Sequence, residues 1–419
     1  MLRGMVMAAA FGMAAQVVYA GAPASPTFTK DVLPIVQKNC QTCHRPEPIK
    51  MSGLVAPFSL ATYEDARPWA KAIAKAVSTK MMPPWFATEK FHGVFRNERT
   101  LTQDQIDTIV AWVEQGAKKG NPADAPAPVE FSSKEWWLGE PDLIVPLPEK
   151  LWVSDEVEDW QPMINVTLTP EQLPEDRWLK TIEAQADSKA VHHIVVYSTN
   201  PHQEARTEAA GQLGYGNIGG LAPGAEPSFM QDGYGILIKK GVTLRISMHY
   251  HKEAGAGTGS WDQSRLGLFF YDKGETVKPI NIEPIGDMNF EIPAFKKDHL
   301  VTADYTFDKP FEVLNYLPHM HLRGSAARYT AYLPDGTEEI LLDIARYQYN
   351  WQLYYEYPKP RAFPAGTRIK VDMTFDNSTE NPVNPDPARN VRFGASTSDE
   401  MALGWMAYSW LDSPETTSD

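Results

Sequence analysis

The chain is poor in cysteine: 419 residues carry two, Cys40 and Cys43, four positions apart at most from His44. No cysteine remains to staple any other region, so whatever folds beyond residue 44 is held by burial and by bound metal rather than by disulfides. Positive charge is also short. Thirty-nine Lys and Arg against 53 Asp and Glu leave a formal charge of −14. The basic runs, Lys118-Lys119 and Lys296-Lys297, are too brief to build a phosphate-backbone surface, so no nucleic-acid partner is expected. Long apolar runs are missing too, except at the N-terminus. There Arg3, the apolar stretch Met5–Val18 and the small-residue site Val18-Tyr19-Ala20 read as a signal peptide over 1–20. No later stretch reaches the ~20 apolar residues of a spanning helix. The expectation is an exported chain, periplasmic or secreted, with no stable membrane span after signal cleavage.

What is present is punctuation and aromatic mass. Thirty-four prolines and 28 glycines favour short strands and turns over long helices, and 11% aromatic residues mark an ordered globular protein. Residues Phe28 to about Gly120 are the exception and read as helical. Thr29 is placed to cap a first helix through Val32, Ile35 and Val36. Thr62 precedes a second, with Trp69, Ile73 and Val77, and Thr102 with Gln105 forms a capping box ahead of Ile106, Ile109, Val110 and Val113.

Cys40-Gln41-Thr42-Cys43-His44 is the C-x-x-C-H pattern of covalent haem attachment: two thioether links and an adjacent imidazole for the iron. A redox dithiol or disulfide competes, but leaves His44 without a role. A downstream methionine supplies the sixth ligand in such sites. Met82, in a loop stiffened by Pro83 and Pro84, is the first candidate and Met81 the alternative. A His/Met pair raises the potential, which suits a relay taking electrons from a periplasmic donor. This stretch, 26–120, resembles a class I cytochrome c domain. A Pro/Ala-rich linker, 121–141, follows and is not expected to pack.

From Asp142 to Trp410 the chain alternates short apolar runs, such as Ile194–Tyr197 and Leu244–Ser247, with turns such as Pro334-Asp335-Gly336. These roughly 270 residues suffice for two β-sandwiches. The expected architecture is multidomain: a small all-α cytochrome c domain followed by two β-sandwich (jelly-roll) domains, 142–285 and 286–413, with a tail over 414–419.

Of ten histidines, six fall in three tight groups within this β-rich region: His192-His193, His249 with His251, and His319 with His321. Residues i and i+2 of a strand share a face, so His319 and His321 can serve one ion. Adjacent His192 and His193 can do so only at a bulge or strand end. Imidazole with a thioether such as Met401 suits copper in both oxidation states. Satisfied core histidines and a core methionine remain the plain alternative for each group taken singly, and His251 is a possible substitute for His249.

In this order (His-His, a strand His, His-x-His, then Asp399-Glu400-Met401) the motifs resemble the copper type II ascorbate-dependent monooxygenases, which include peptidylglycine α-hydroxylating monooxygenase and dopamine β-monooxygenase. The resemblance implies two mononuclear copper sites facing across a solvent cleft. His192, His193 and His249 would hold an electron-transfer copper, and His319, His321 and Met401 the catalytic, oxygen-binding one. It implies hydroxylation of a C–H bond of a small organic substrate with O2, the fused haem standing in for ascorbate. Two departures bear on specificity: Leu317 and Trp405 stand where the peptide-amidating enzyme has an Arg and a Tyr. The competing functions are a non-catalytic haem/copper electron carrier or copper-binding protein, and a carbohydrate- or partner-binding module.

Overall fold

The computed structural model describes residues 21, 23–46, 56–131, 135–199, 205–213, 216–228, 230–413 and 416–417; the expected signal peptide lies outside them, as does most of the tail. Strands dominate. The first sandwich-like body stacks a six-stranded sheet on a five-stranded one. In the first, Arg265–Phe270 runs between Leu143–Pro146 and Arg177–Gln185. In the second, Thr243–His251 pairs with Val191–Ser198 on one side and with Asp159–Trp160 and Met163–Thr167 on the other. One core takes side chains from both sheets, among them Leu179, Ile182, Leu266 and Leu268 from one and Ile194, Val196, Leu244 and Ile246 from the other. The β-branched and leucine residues recur with period 2 along these strands, which is why one face of each sheet goes inward.

The second body repeats the plan with four strands in each sheet. Asn281–Asp287, Ala402–Trp410, Phe311–His319 and Tyr355–Phe363 form one. His299–Thr306, Arg368–Phe375, Gly324–Tyr332 and Glu338–Ile344 form the other. Its core is unusually aromatic, with Tyr316, Tyr329, Tyr355, Phe311 and Phe375 all fully buried. The two bodies are not insulated from each other, because Leu314 and Ala407 of the second contribute to the core of the first.

The expected all-α domain ahead of two β-sandwich domains does not hold. The chain is 37% strand and 14% helix, and no large all-α domain exists among the described residues. The N-terminal helices are Leu33–Asn39, Tyr63–Ala66, Ala70–Ser78 and Gln103–Glu114, the last being the longest at 12 residues. They share a small core around Phe28, Val36, Ile109 and Trp112. The segment between the last two sends Trp85, Phe86, Phe91 and Phe95 into the aromatic core of the second body instead. Helices this short cannot bury those rings themselves, so the β core does. The Thr102/Gln105 capping box forms. Thr29 does not cap: its hydroxyl donates to the Lys119 carbonyl. The linker also packs at its far end, where Trp136 is buried and the Trp137 and Leu138 N–H groups donate to the Glu183 carboxylate. No helix among the described residues is long and apolar enough to cross a membrane.

Glu283, on the strand Asn281–Asp287, is buried beside the helix Glu208–Leu213 and accepts hydrogen bonds from the Arg206 and Thr207 N–H groups. Burial pushes its carboxyl from the ordinary 4.5 up to about 6, against the pull of those donors. A carboxyl raised on folding contributes stability below the unfolded value that is lost as pH rises through the folded one. Unfolding free energy should therefore fall between pH ~4.5 and ~6, by at most about 2 kcal/mol from this group. Urea titrations of Glu283→Gln across that range should lack this component of the slope. An unchanged slope would assign it elsewhere.

Candidate metal centre

The His192 strand and the His249 strand are antiparallel neighbours whose ladder slips one residue between Val191 and His193. The slip resolves the difficulty posed by two adjacent histidines. His192 becomes the extra residue of a bulge, so its side chain turns to the side on which His193 faces His249 across the ladder. The His192 and His193 Nδ1 atoms stand 3.3 Å apart, as do those of His193 and His249. One ring nitrogen from each of the three lies within 4.8 Å of the other two. Two nitrogens each about 2.0–2.1 Å from a tetrahedral ion lie about 3.4 Å apart, so the spacing is that of ligands around a metal.

The far side of His249 is fixed. Its Nε2 lies 3.0 Å from Asp159 Oδ1 and 3.2 Å from Thr397 Oγ1, and the Thr397 N–H donates to Asp159 Oδ2 at 2.7 Å. A carboxylate on one ring nitrogen places the proton there and leaves the other lone pair free, here on Nδ1. Partial burial disfavours ionised Asp159, but hydrogen bonds from His249 and Thr397 outweigh it and hold its carboxyl well below the usual range. Tyr349 stacks on His192, ring centroids 4.5 Å apart, with its hydroxyl 3.3 Å from His192 Nδ1. Asp159→Asn keeps the shape but removes the charge. It should weaken metal binding by about 10–100-fold, read by competition with a chelator; an unchanged affinity would mean that Asp159 only packs.

His319 ends the strand Phe311–His319, and His321 sits just beyond it, so the expected two-on-a-strand arrangement is replaced by a strand end and turn. The rings are 5.3 Å apart and nearly perpendicular. His319 Nδ1 lies 2.9 Å from Gln352 Oε1 and His321 Nδ1 3.2 Å from the Asp399 carbonyl. Both acceptors hold the proton on Nδ1, which leaves Nε2 as the free donor atom on each ring. Met401 is half-buried between Glu400 and the strand Ala402–Trp410. The Glu400 carboxyl accepts from the backbone N–H groups of His321 and Arg323, so the residue before Met401 is anchored to the His321 turn.

Burial keeps His192, His193, His319 and His321 neutral, as ligands must be. It lowers His319 to about 4 and His321 to about 3. Burial first, and then the neighbouring imidazoles, hold His192 and His193 well below their ordinary value. His251 stays outside the triad, with Nδ1 buried and without a hydrogen-bond partner among the described residues. The expected solvent cleft between the two groups is absent: His249 and His321 are fully buried, and His193 and His319 have ring centroids 6.0 Å apart.

In the C-x-x-C-H motif, Cys40 follows the helix Leu33–Asn39, and the Cys43 and His44 N–H groups donate to its carbonyl. The two thiols are unbridged, and burial pushes that of Cys40 up to about 12. His44 Nδ1 lies 3.0 Å from the Phe58 carbonyl, leaving Nε2 free for iron. These donors fit a covalently attached haem. Met81 Sδ accepts from Gln348 Nε2 at 3.3 Å, so of the two candidate sulfurs that of Met82 is the less engaged. Arg346 donates to the Thr79 and Lys80 carbonyls of the same loop. The methionine loop is thus tied to Arg346–Gln352, the segment that also carries Tyr349 and Gln352. Sequence reasoning missed Asp159, Tyr349, Gln352 and Thr397. Each is a lone residue of a common type, and only the three-dimensional path gives it a role.

No family model matches the chain, and no curated protein matches it. Among solved structures, "Crystal Structure of the STIV MCP" aligns at 8% identity over 56% of this chain and 95% of that one, with a TM-score of 0.25. "Crystal structure of infectious bursal disease virus VP2 subviral particle" aligns at 11% identity over 70% of this chain and 81% of that one, with a TM-score of 0.17. Neither likeness is close enough to carry an argument about fold or function.

Proposed function

We propose that this chain is a copper-dependent monooxygenase that hydroxylates a C–H bond of a small organic substrate with O2, and that a covalently attached haem supplies its electrons from a periplasmic donor. The observation that carries the reading is the convergence of five histidines, three of which (His249, His319 and His321) have one ring nitrogen held by an acceptor that leaves the other free. Such outer-sphere anchoring fixes the tautomer and ring orientation that a metal-binding histidine requires. With Met401, which the resemblance assigns to the His319/His321 site, the donor set would suit copper better than zinc, since a thioether stabilises the reduced ion. Copper, when bound, would supply one-electron chemistry with O2.

The residues themselves do the rest. Asp159, Gln352 and the Asp399 carbonyl orient the rings, and burial excludes water. Gln348 touches Met81 and is followed directly by Tyr349, which stacks on His192, so the haem-side loop reaches the metal pocket through two consecutive residues. The depth of His321 and His249 also favours a second reading, a non-catalytic haem/copper electron carrier.

Elemental analysis should find one haem iron and two copper ions per chain. Reduced, copper-loaded protein should consume O2 with a member of a panel of small amines, alcohols and aromatics, giving a product one oxygen heavier. Uptake with no product across the panel would favour the carrier. In stopped flow with O2 and substrate, haem oxidation no faster with copper than without it would sink the relay.

A further inference from the structure

The spacing between the two histidine groups is hardly larger than the spacing within them. His192 and His193 have ring centroids 5.4 Å apart and His319 and His321 5.3 Å, while His193 and His319, from different groups, are separated by 6.0 Å. Tyr349 roofs both, stacking on His192 and meeting His321 at 5.9 Å. The free nitrogens nevertheless divide into two sets. The Nδ1 atoms of His192 and His249 each lie 3.3 Å from that of His193, whereas on His319 and His321 the contacts of Nδ1 with Gln352 and the Asp399 carbonyl leave Nε2 as the free atom.

We propose that these five histidines hold the two copper ions as one dinuclear centre under Tyr349, close enough to interact magnetically, rather than as two isolated sites. The inference rests on the reading that both groups bind copper. An ion sits about 2.0 Å from an imidazole nitrogen, in the plane of the ring. Such an ion stands about 3 Å from the ring centroid, so ions held on the facing edges of His193 and His319, whose centroids are 6.0 Å apart, would lie close together. The geometry also limits the alternatives. One ion on the triad keeps a single open tetrahedral position, which only one further imidazole can fill, so a single ion cannot use both His319 and His321 without expanding its coordination.

The test is to add Cu(II) to the full-length, haem-loaded protein, remove excess metal, count copper by elemental analysis and count spins in the copper region of the EPR spectrum. Two coppers per chain with an integrated intensity well under half of the bound metal, and a half-field line, are expected. His319→Ala should then retain one copper at full intensity. Two coppers at full intensity would overturn the dinuclear centre while leaving the copper reading intact. Saturation at one copper would overturn it in favour of a single ion on the triad. No retained copper would overturn both.

Discussion

Replacing Glu400 by alanine is expected to lower the unfolding free energy by about 2–6 kcal/mol, the cost of two buried backbone donors left without an acceptor. Glu400 is fully buried, and its two oxygens accept from the His321 N–H at 2.8 Å and the Arg323 N–H at 2.6 Å. Arg323 is itself 1% exposed, and its guanidinium is spread over Asn377 Oδ1 and the Ser398 carbonyl, both neutral acceptors. Burial pushes the Glu400 carboxyl up to about 8, so at neutral pH it acts chiefly as a hydrogen-bond partner, and removing it leaves two backbone donors unsatisfied, at about 1–3 kcal/mol each. Glu400→Gln, which keeps the volume and one acceptor oxygen, should recover part of the loss. Urea unfolding of metal-free protein measures both. A loss below about 1 kcal/mol for the alanine variant would mean that water or another acceptor enters and that Glu400 does not clamp the turn.

That clamp explains why part of the site was legible in the sequence and part was not. His319 and His321 announce themselves by proximity in the chain, and the His192-His193 pair does so on the condition of a bulge, which the ladder supplies between Val191 and His193. His249 is matched to that pair in the sequence only by the order of motifs that the resemblance supplies. The residues that select the ring nitrogens, Asp159 and Gln352, lie 90 positions from His249 and 33 from His319. No spacing rule links an isolated Asp or Gln to a ring it meets only after folding. The helical segment misled for a related reason. Capping and 3.6-residue periodicity report local helix, and the four helices are there, but they do not report what covers Trp85, Phe86, Phe91 and Phe95. Those rings carry no periodic signal, and the β core that receives them begins some 200 positions further along the chain.

His249→Ala should abolish copper retention by the triad, lowering affinity by more than about 100-fold, since loss of a ligand exceeds the 10–100-fold cost of losing its outer-sphere partner. His251→Ala should change it by less than about threefold. The two histidines share a strand and a face, two residues apart, so composition alone treats them as interchangeable. The structure separates them: His249 Nδ1 lies 3.3 Å from His193 Nδ1 with Asp159 behind it, whereas His251 meets His192 only at 6.1 Å between ring centroids and has no carboxylate hydrogen-bonded to it. Thermal unfolding offers an independent readout. Metal that binds only the native state stabilises it by RT ln(1 + [L]/Kd), about 2.7 kcal/mol at a hundredfold excess over Kd. Copper should therefore raise the melting temperature of the His251→Ala protein as much as that of the wild type, and raise that of His249→Ala far less. Equal shifts for the two variants would mean that either imidazole can complete the triad, and the choice made by the Asp159 hydrogen bond would then count for nothing in binding.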